Sequence, residues 1–169
     1  MKKGLLIYLG FFIVFGCCHA AGAFAVTLII PSLEARSGGY IEVPVLVDRV
    51  DNLAGIKLTL RYDDEVLQYE NARPSEWTDA LMHVANNKTP GCLIVVMAGA
   101  EGVKGKNMPL IYIGFRVKNG LKEKQSLALR ISNIQLVSDQ LKNLKSDTGI
   151  HPLTILPESD KSCEDQQKN

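Results

Sequence analysis

Hydrophobic and polar residues alternate with a period of two along most of the chain. In the stretch AGIKLTLRYDDEVL, Ile56, Leu58 and Leu60 fall on one side of an extended backbone, whereas Lys57 and Thr59 fall on the other. Because successive side chains of a strand point to opposite faces, this pattern predicts a strand that buries one row of side chains and exposes the other.

Similar runs follow one another with turn residues between them and predict about nine strands and no long helix. The expected strands are 26–30, 41–48, 54–62, 66–71, 93–99, 110–118, 127–131, 134–137 and 150–155. Residues 93–99 are apolar on both sides, which predicts a central strand covered on both faces. Residues 79–84 are expected to form a short helical turn. The spacing indicates an all-β protein built as an antiparallel sandwich.

The first 25 residues have the pattern of a secretory leader. Lys2 and Lys3 precede an apolar run, and small residues follow it up to Ala25. A positive start, a short apolar centre and a small-residue end are typical of a signal peptide. We expect cleavage after Ala20 or Ala25 and a secreted, periplasmic or cell-surface protein. Residues 26–157 would form the domain, and the polar residues 158–169 a disordered tail.

Charge excludes one class of partner. The chain has 19 basic and 18 acidic residues, and removing residues 1–25 removes two lysines, which leaves 17 against 18. A nearly neutral chain with dispersed charges lacks the basic surface that nucleic-acid binding requires. No nucleic-acid partner is therefore expected.

The cysteines leave two questions open. Cys17 follows Val-Phe-Gly, a loose match to a bacterial lipobox, and a lipid on Cys17 would anchor the protein to a membrane. Downstream, Cys92 and Cys163 are either free thiols or a disulfide pair in an oxidising compartment. Their spacing is not that of a zinc site.

Catalytic and metal motifs are missing from the sequence after the leader. His83 and His151 are the only histidines there, and no serine has the flanking glycines of a nucleophile elbow. Aspartates occur near turns, but none has the alternating oxygen-ligand spacing of a calcium loop. We expect no enzymatic activity and no cofactor.

The stretch SGGYIEVPVLVDRVDNLAGIKLTLRYDDEVLQYE, residues 37–70, resembles the first third of a cohesin domain, and looser similarity extends over about 26–156. The resemblance implies a nine-stranded, flattened jelly-roll sandwich (cohesin-like), related in fold to carbohydrate-binding modules. Cohesins bind dockerin modules, which carry paired calcium loops, and so assemble polysaccharide-degrading enzymes on scaffolds or cell surfaces. The resemblance therefore implies a non-catalytic module with a dockerin-like protein partner.

Cellulosomal cohesins hold dockerins on one flat sheet face, where an Asn and an Asp two residues apart accept hydrogen bonds. This sequence has Gly55 and Lys57 at the corresponding positions, so a dockerin of the usual cellulosomal type is expected to bind poorly. By alternation, five residues are predicted to form the partner-binding face. They are Lys57, Thr59, Leu110, Tyr112 and Arg116.

Two alternative functions remain open. Trp77 is the only tryptophan, and it either stacks on a sugar, as in a carbohydrate-binding module with a polysaccharide partner, or packs a loop onto the sandwich. A lipid-anchored structural component of an envelope or secretion assembly, tethered at Cys17, is the other alternative.

Overall fold

The computed structural model describes residues 25–148 and 150–157. Residues 1–24, which include Cys17 and all but the last residue of the expected leader, and residues 158–169, which include Cys163, lie outside the described residues, as does the proposed pairing of Cys92 with Cys163. Within the described part, ten strands are joined by turns, and the all-β prediction is confirmed. They are β1 (Val26–Ile29), β2 (Leu33–Arg36), β3 (Tyr40–Arg61), β4 (Leu67–Pro74), β5 (Met82–Thr89), β6 (Cys92–Val117), β7 (Gln125–Ser138), β8 (Asn143–Leu144), β9 (Ser146–Thr148) and β10 (Ile150–Leu156).

Two long strands, β3 and β6, run through both layers of the sandwich. They pair with each other antiparallel from Tyr40↔Arg116 to Arg61↔Cys92, with register shifts between Val50 and Gly55. The first sheet contains β9, β1, the first half of β3, the second half of β6, and β4. The second sheet contains β5, the first half of β6, the second half of β3, β7, β10 and β2.

The inner rows of the two sheets pack into one hydrophobic core. In the second sheet Ile56, Leu58 and Leu60 are at most 3% exposed, as the alternation predicts. In the first sheet Phe115 is fully buried, and the ring centroids of Tyr62 and Tyr69 lie 4.9 and 6.2 Å from its own. The two outer faces consequently point to opposite sides of the molecule.

The segment between β4 and β5 is a turn anchored by buried hydroxyl groups. Residues 76–80 are turn and β5 starts at Met82, so the helical turn expected at 79–84 is wrong. Ser75 Oγ donates to the carbonyl of Pro109 at 2.6 Å, and Thr78 Oγ1 donates to the carbonyl of Leu110 at 2.5 Å. These bonds satisfy two buried hydroxyls and fix the chain that leads into β5.

His151 on β10 is a partly buried histidine whose pKa is lowered by burial. Its Nδ1 accepts a hydrogen bond from the Ile30 amide at 3.4 Å, whereas its buried Nε2 has no partner among the described residues. Since Nδ1 accepts from the Ile30 amide, the neutral ring carries its proton on Nε2, and a second proton on Nδ1 would break that hydrogen bond and charge a partly buried ring. The neutral form is therefore favoured in the folded protein.

This environment predicts a pH dependence of stability. Because the pKa of His151 is lower in the folded than in the unfolded protein, the unfolded chain binds more protons below about pH 6.5. Stability should be fully present above that pH and fall as the pH drops towards the lower folded value. Urea denaturation across this range should show the fall in wild type, and a smaller fall in His151→Asn, whose amide oxygen can still accept from Ile30.

His83→Asn is the matched control, since His83 is an exposed histidine on β5. It should keep the wild-type pH dependence. Identical curves for wild type and His151→Asn would show that His151 does not cause the effect.

Candidate functional site

The five residues predicted to share one binding face do not lie together. Tyr112 and Arg116 belong to the second half of β6, where they pair with Pro44 and Tyr40 in the first sheet. Lys57 and Thr59 belong to the second sheet, so the two groups are on opposite outer faces. The prediction of a single patch is wrong because β6 is continuous between its two halves and changes sheet on the way.

Leu110 is not on an outer face at all, since it is fully buried. Val45 pairs with Ile111 and Leu46 with Pro109, which leaves Leu110 as an extra residue in a β-bulge. The bulge breaks the alternation that had placed Leu110 in the same row as Tyr112. The prediction that Leu110 contacts a partner is therefore wrong.

The outer face of the first sheet is occupied by its own contacts. Arg73 forms two hydrogen bonds with Glu42, at 2.8 and 2.7 Å, and its guanidinium lies 4.1 Å from the centroid of the Tyr112 ring. Arg116 pairs with Glu70. Tyr112 and Arg116 therefore already have partners within the domain. The Tyr112 ring is covered by a guanidinium group, and the charge of Arg116 is paired.

The outer face of the second sheet has a regular grid across four strands, set by the strand register. Its rows, read from β5 through β6 and β3 to β7, are Met82–Ala98–Gly55–Val137, Val84–Val96–Lys57–Gln135, Asn86–Ile94–Thr59–Ser132, and Thr89–Cys92–Arg61–Arg130. We call this grid the docking face. Lys57 lies near its centre.

One half of the docking face is apolar and exposed. Met82 is 81% exposed, Val84 65% and Val96 40%, and the exposed Ala98 lies beside Met82. We call these four residues the apolar block. The prediction that strand 93–99 is covered on both faces is wrong, because only its inner row of Leu93, Val95 and Met97 is buried.

The other half of the docking face is polar. Lys57 is exposed and has no ion pair among the described residues. Thr59 lies on this face but is only 4% exposed. A bulge in β7, where Asn133 and Ile134 stand opposite Leu58 alone, borders a shallow depression of about 380 Å³ that Thr59 lines. Lys57 is thus a candidate contact residue, whereas Thr59 can be reached only through the depression.

Trp77 lies in the turn before β5 and is 52% exposed, so about half of the residue is open to solvent. Its backbone amide donates to Ser75 Oγ at 3.2 Å, which fixes the position of the turn. Trp77 by itself does not make the row of aromatic residues that polysaccharide binding by a sandwich usually requires. Trp77 as a sugar contact stays a prediction.

Sequence reasoning missed Met82, Val84 and Val96. The sequence signal that could have revealed them is the strand 93–99, whose residues are apolar on both sides. In a two-layer sandwich each sheet has only one buried face, so a second apolar row is exposed unless another element covers it.

The described residues contain no cluster of three or more histidine, cysteine or acidic side chains that could hold a metal ion. They also contain no helix with the length and hydropathy needed to cross a membrane. Cys92 is buried and forms no disulfide with another described residue.

A cohesin-domain family model matches residues 26–150. The chain belongs to the cohesin domain family. This confirms the resemblance seen in the sequence, and because cohesin modules are non-catalytic protein-binding domains, it also confirms that the domain is not an enzyme. No curated protein matches the chain significantly.

Solved cohesin structures share the fold. A non-cellulosomal cohesin from the hyperthermophilic archaeon Archaeoglobus fulgidus is 26% identical, with a TM-score of 0.70 over 79% of this chain and 92% of that one. The cohesin of the Coh-OlpC–Doc435 complex from Clostridium thermocellum is 15% identical, with a TM-score of 0.70 over 80% and 96%. A cohesin module of a family 33 glycoside hydrolase from Clostridium perfringens is 14% identical, with a TM-score of 0.63 over 79% and 97%.

Proposed function

We propose that this cohesin domain binds a dockerin-type module through the docking face. The observation that carries the proposal is the apolar block, an exposed apolar surface on an otherwise well-packed sandwich. Three large apolar side chains there, Met82, Val84 and Val96, have no covering element in the described structure. Exposed apolar patches of this kind commonly mark protein-interaction sites.

The contrast between the two outer faces supports this choice of surface. The outer face of the first sheet has two ion pairs, Arg73–Glu42 and Arg116–Glu70. A partner bound there would have to desolvate both of them. On the docking face, Lys57 has no ion pair and the apolar block has no covering element among the described residues. A partner placed there gains contacts without breaking any within the domain.

Membership of the cohesin family supports the choice of partner. Solved relatives of this fold include a cohesin in complex with dockerin Doc435 and another in complex with Doc918, both from Clostridium thermocellum. We also propose that the protein is exported, because residues 1–25 have the pattern of a leader. The sequence resemblance supports a role in surface assembly or polysaccharide breakdown.

Titration of the protein against dockerin modules tests the proposal. The panel contains the dockerins encoded in the source genome, with Doc435 and Doc918 as comparison modules. At least one dockerin should bind with a Kd of about 1 μM or tighter, and chelating calcium should abolish that binding because dockerins fold around calcium.

The absence of any binding up to about 100 μM across the panel would contradict the proposal. So would binding that survives chelation, because it would not depend on a folded dockerin.

A further inference from the structure

We propose that the docking face selects a dockerin-type partner that presents carboxylates, with one carboxylate pairing with Lys57 and a second reaching Arg61 and Arg130. This inference rests on the proposed function and names the chemistry of the partner. The charges on the docking face carry it.

All three charged residues in the grid of the docking face are basic. They are Lys57, Arg61 and Arg130, and none has a carboxylate within ion-pair distance among the described residues. The positive charge is local, because the chain after the leader has one more acidic than basic residue. A basic patch on a nearly neutral domain is complementary to an acidic partner surface.

Arg61 and Arg130 give a second, independent indication. The register places them directly opposite each other on neighbouring antiparallel strands, and both are exposed. Like charges in such cross-strand pairs destabilise a sheet. A carboxylate from a partner, placed between the two guanidinium groups, would replace this repulsion by two attractive contacts.

The spacing favours two separate acidic groups. Lys57 and Arg61 are four residues apart on β3, about 13 Å along the strand. Strand side chains stand roughly perpendicular to the sheet, so one carboxylate would meet both cationic groups only if both side chains leaned towards each other. The partner surface is therefore expected to have apolar side chains over the apolar block, one acid near the centre, and another acid at the Arg61–Arg130 end.

The test uses Doc435 of Clostridium thermocellum as a defined probe, in its natural form and in an acid-faced form. In the acid-faced form, glutamates replace polar residues at the cohesin-contacting positions seen in its own complex. We expect wild-type protein to bind the acid-faced probe about tenfold more tightly than the natural one, with a preference that weakens as salt is raised. Lys57→Glu should reverse the preference.

Lys122→Glu is the matched control, because it makes the same charge change at an exposed loop residue outside the docking face. It should keep the wild-type preference. Arg61→Gln should weaken binding of the acid-faced probe about threefold to tenfold without lowering the denaturation midpoint, since it also removes the repulsion from Arg130. If Arg61 only supported the sheet, its replacement would lower both the affinity for the probe and the denaturation midpoint.

The outcomes separate this inference from the proposed function. If a probe binds but the acid-faced form has no advantage, or if Lys57→Glu behaves like Lys122→Glu, the acidic-partner inference is overturned and the docking function stands. If neither these probes nor any dockerin of the panel binds, the docking function fails and the inference fails with it.

Discussion

Replacing Val84 and Val96 together by asparagine is expected to weaken dockerin binding about 100-fold. The two side chains are cross-strand neighbours on β5 and β6 and form the centre of the apolar block. In a complex, each new amide would have to give up its hydrogen bonds to water against an apolar partner surface, at a cost of about 1–3 kcal/mol per group. A 100-fold loss corresponds to about 2.7 kcal/mol.

Titration calorimetry with the best-binding dockerin of the panel measures the loss. Leu141→Asn is the matched control, because Leu141 is 86% exposed in a turn, is not part of the grid of the docking face, and has a φ of 57°, which asparagine adopts more readily than leucine. It should leave the affinity unchanged. Equal affinities for the double variant and for Leu141→Asn would mean that the partner binds elsewhere.

Replacing Phe115 by alanine is expected to lower the free energy of unfolding by about 3–5 kcal/mol. Phe115 is fully buried on the inner row of the first sheet, and the rings of Tyr62 and Tyr69 pack against it. Truncation would remove the ring from the core and leave a cavity, because the backbones of β3 and β4 on either side are held by the strand register. The loss is a large part of a typical domain's stability.

Urea denaturation followed by Trp77 fluorescence measures this change. Arg116→Ala, the next residue on β6, is the control, because its ion pair with Glu70 is exposed and pairs of that kind contribute about 0–1 kcal/mol. A loss below about 1 kcal/mol for Phe115→Ala would show that the core around this ring repacks.

Local alternation explains why much of the fold was predictable. Ile56, Leu58 and Leu60 lie in the core because the period-two pattern follows directly from the geometry of an extended chain. The same pattern placed Lys57 on an outer face correctly. These predictions needed no knowledge of which strands pair.

The location of the candidate site was harder to predict because it depends on pairing over long sequence separations. Leu110 is buried through a bulge that is defined only by the partners of Pro109 and Ile111 on β3. Tyr112 and Lys57 were assigned to one face because the sequence does not show that β6 passes from one sheet to the other. The exposure of Val96 likewise depends on β6 having neighbours beside it but no layer above its outer row.

The sequence by itself determined that this protein is an all-β cohesin domain and which residues of each strand share a row, because strand geometry links neighbouring residues directly. Only the tertiary structure decided which rows lie on the same outer face, which face keeps its charges paired, and which keeps Lys57 and the apolar block free. Those properties arise from contacts between residues far apart in the chain, such as Lys57 with Val96 and Gln135, whose pairing no local pattern specifies.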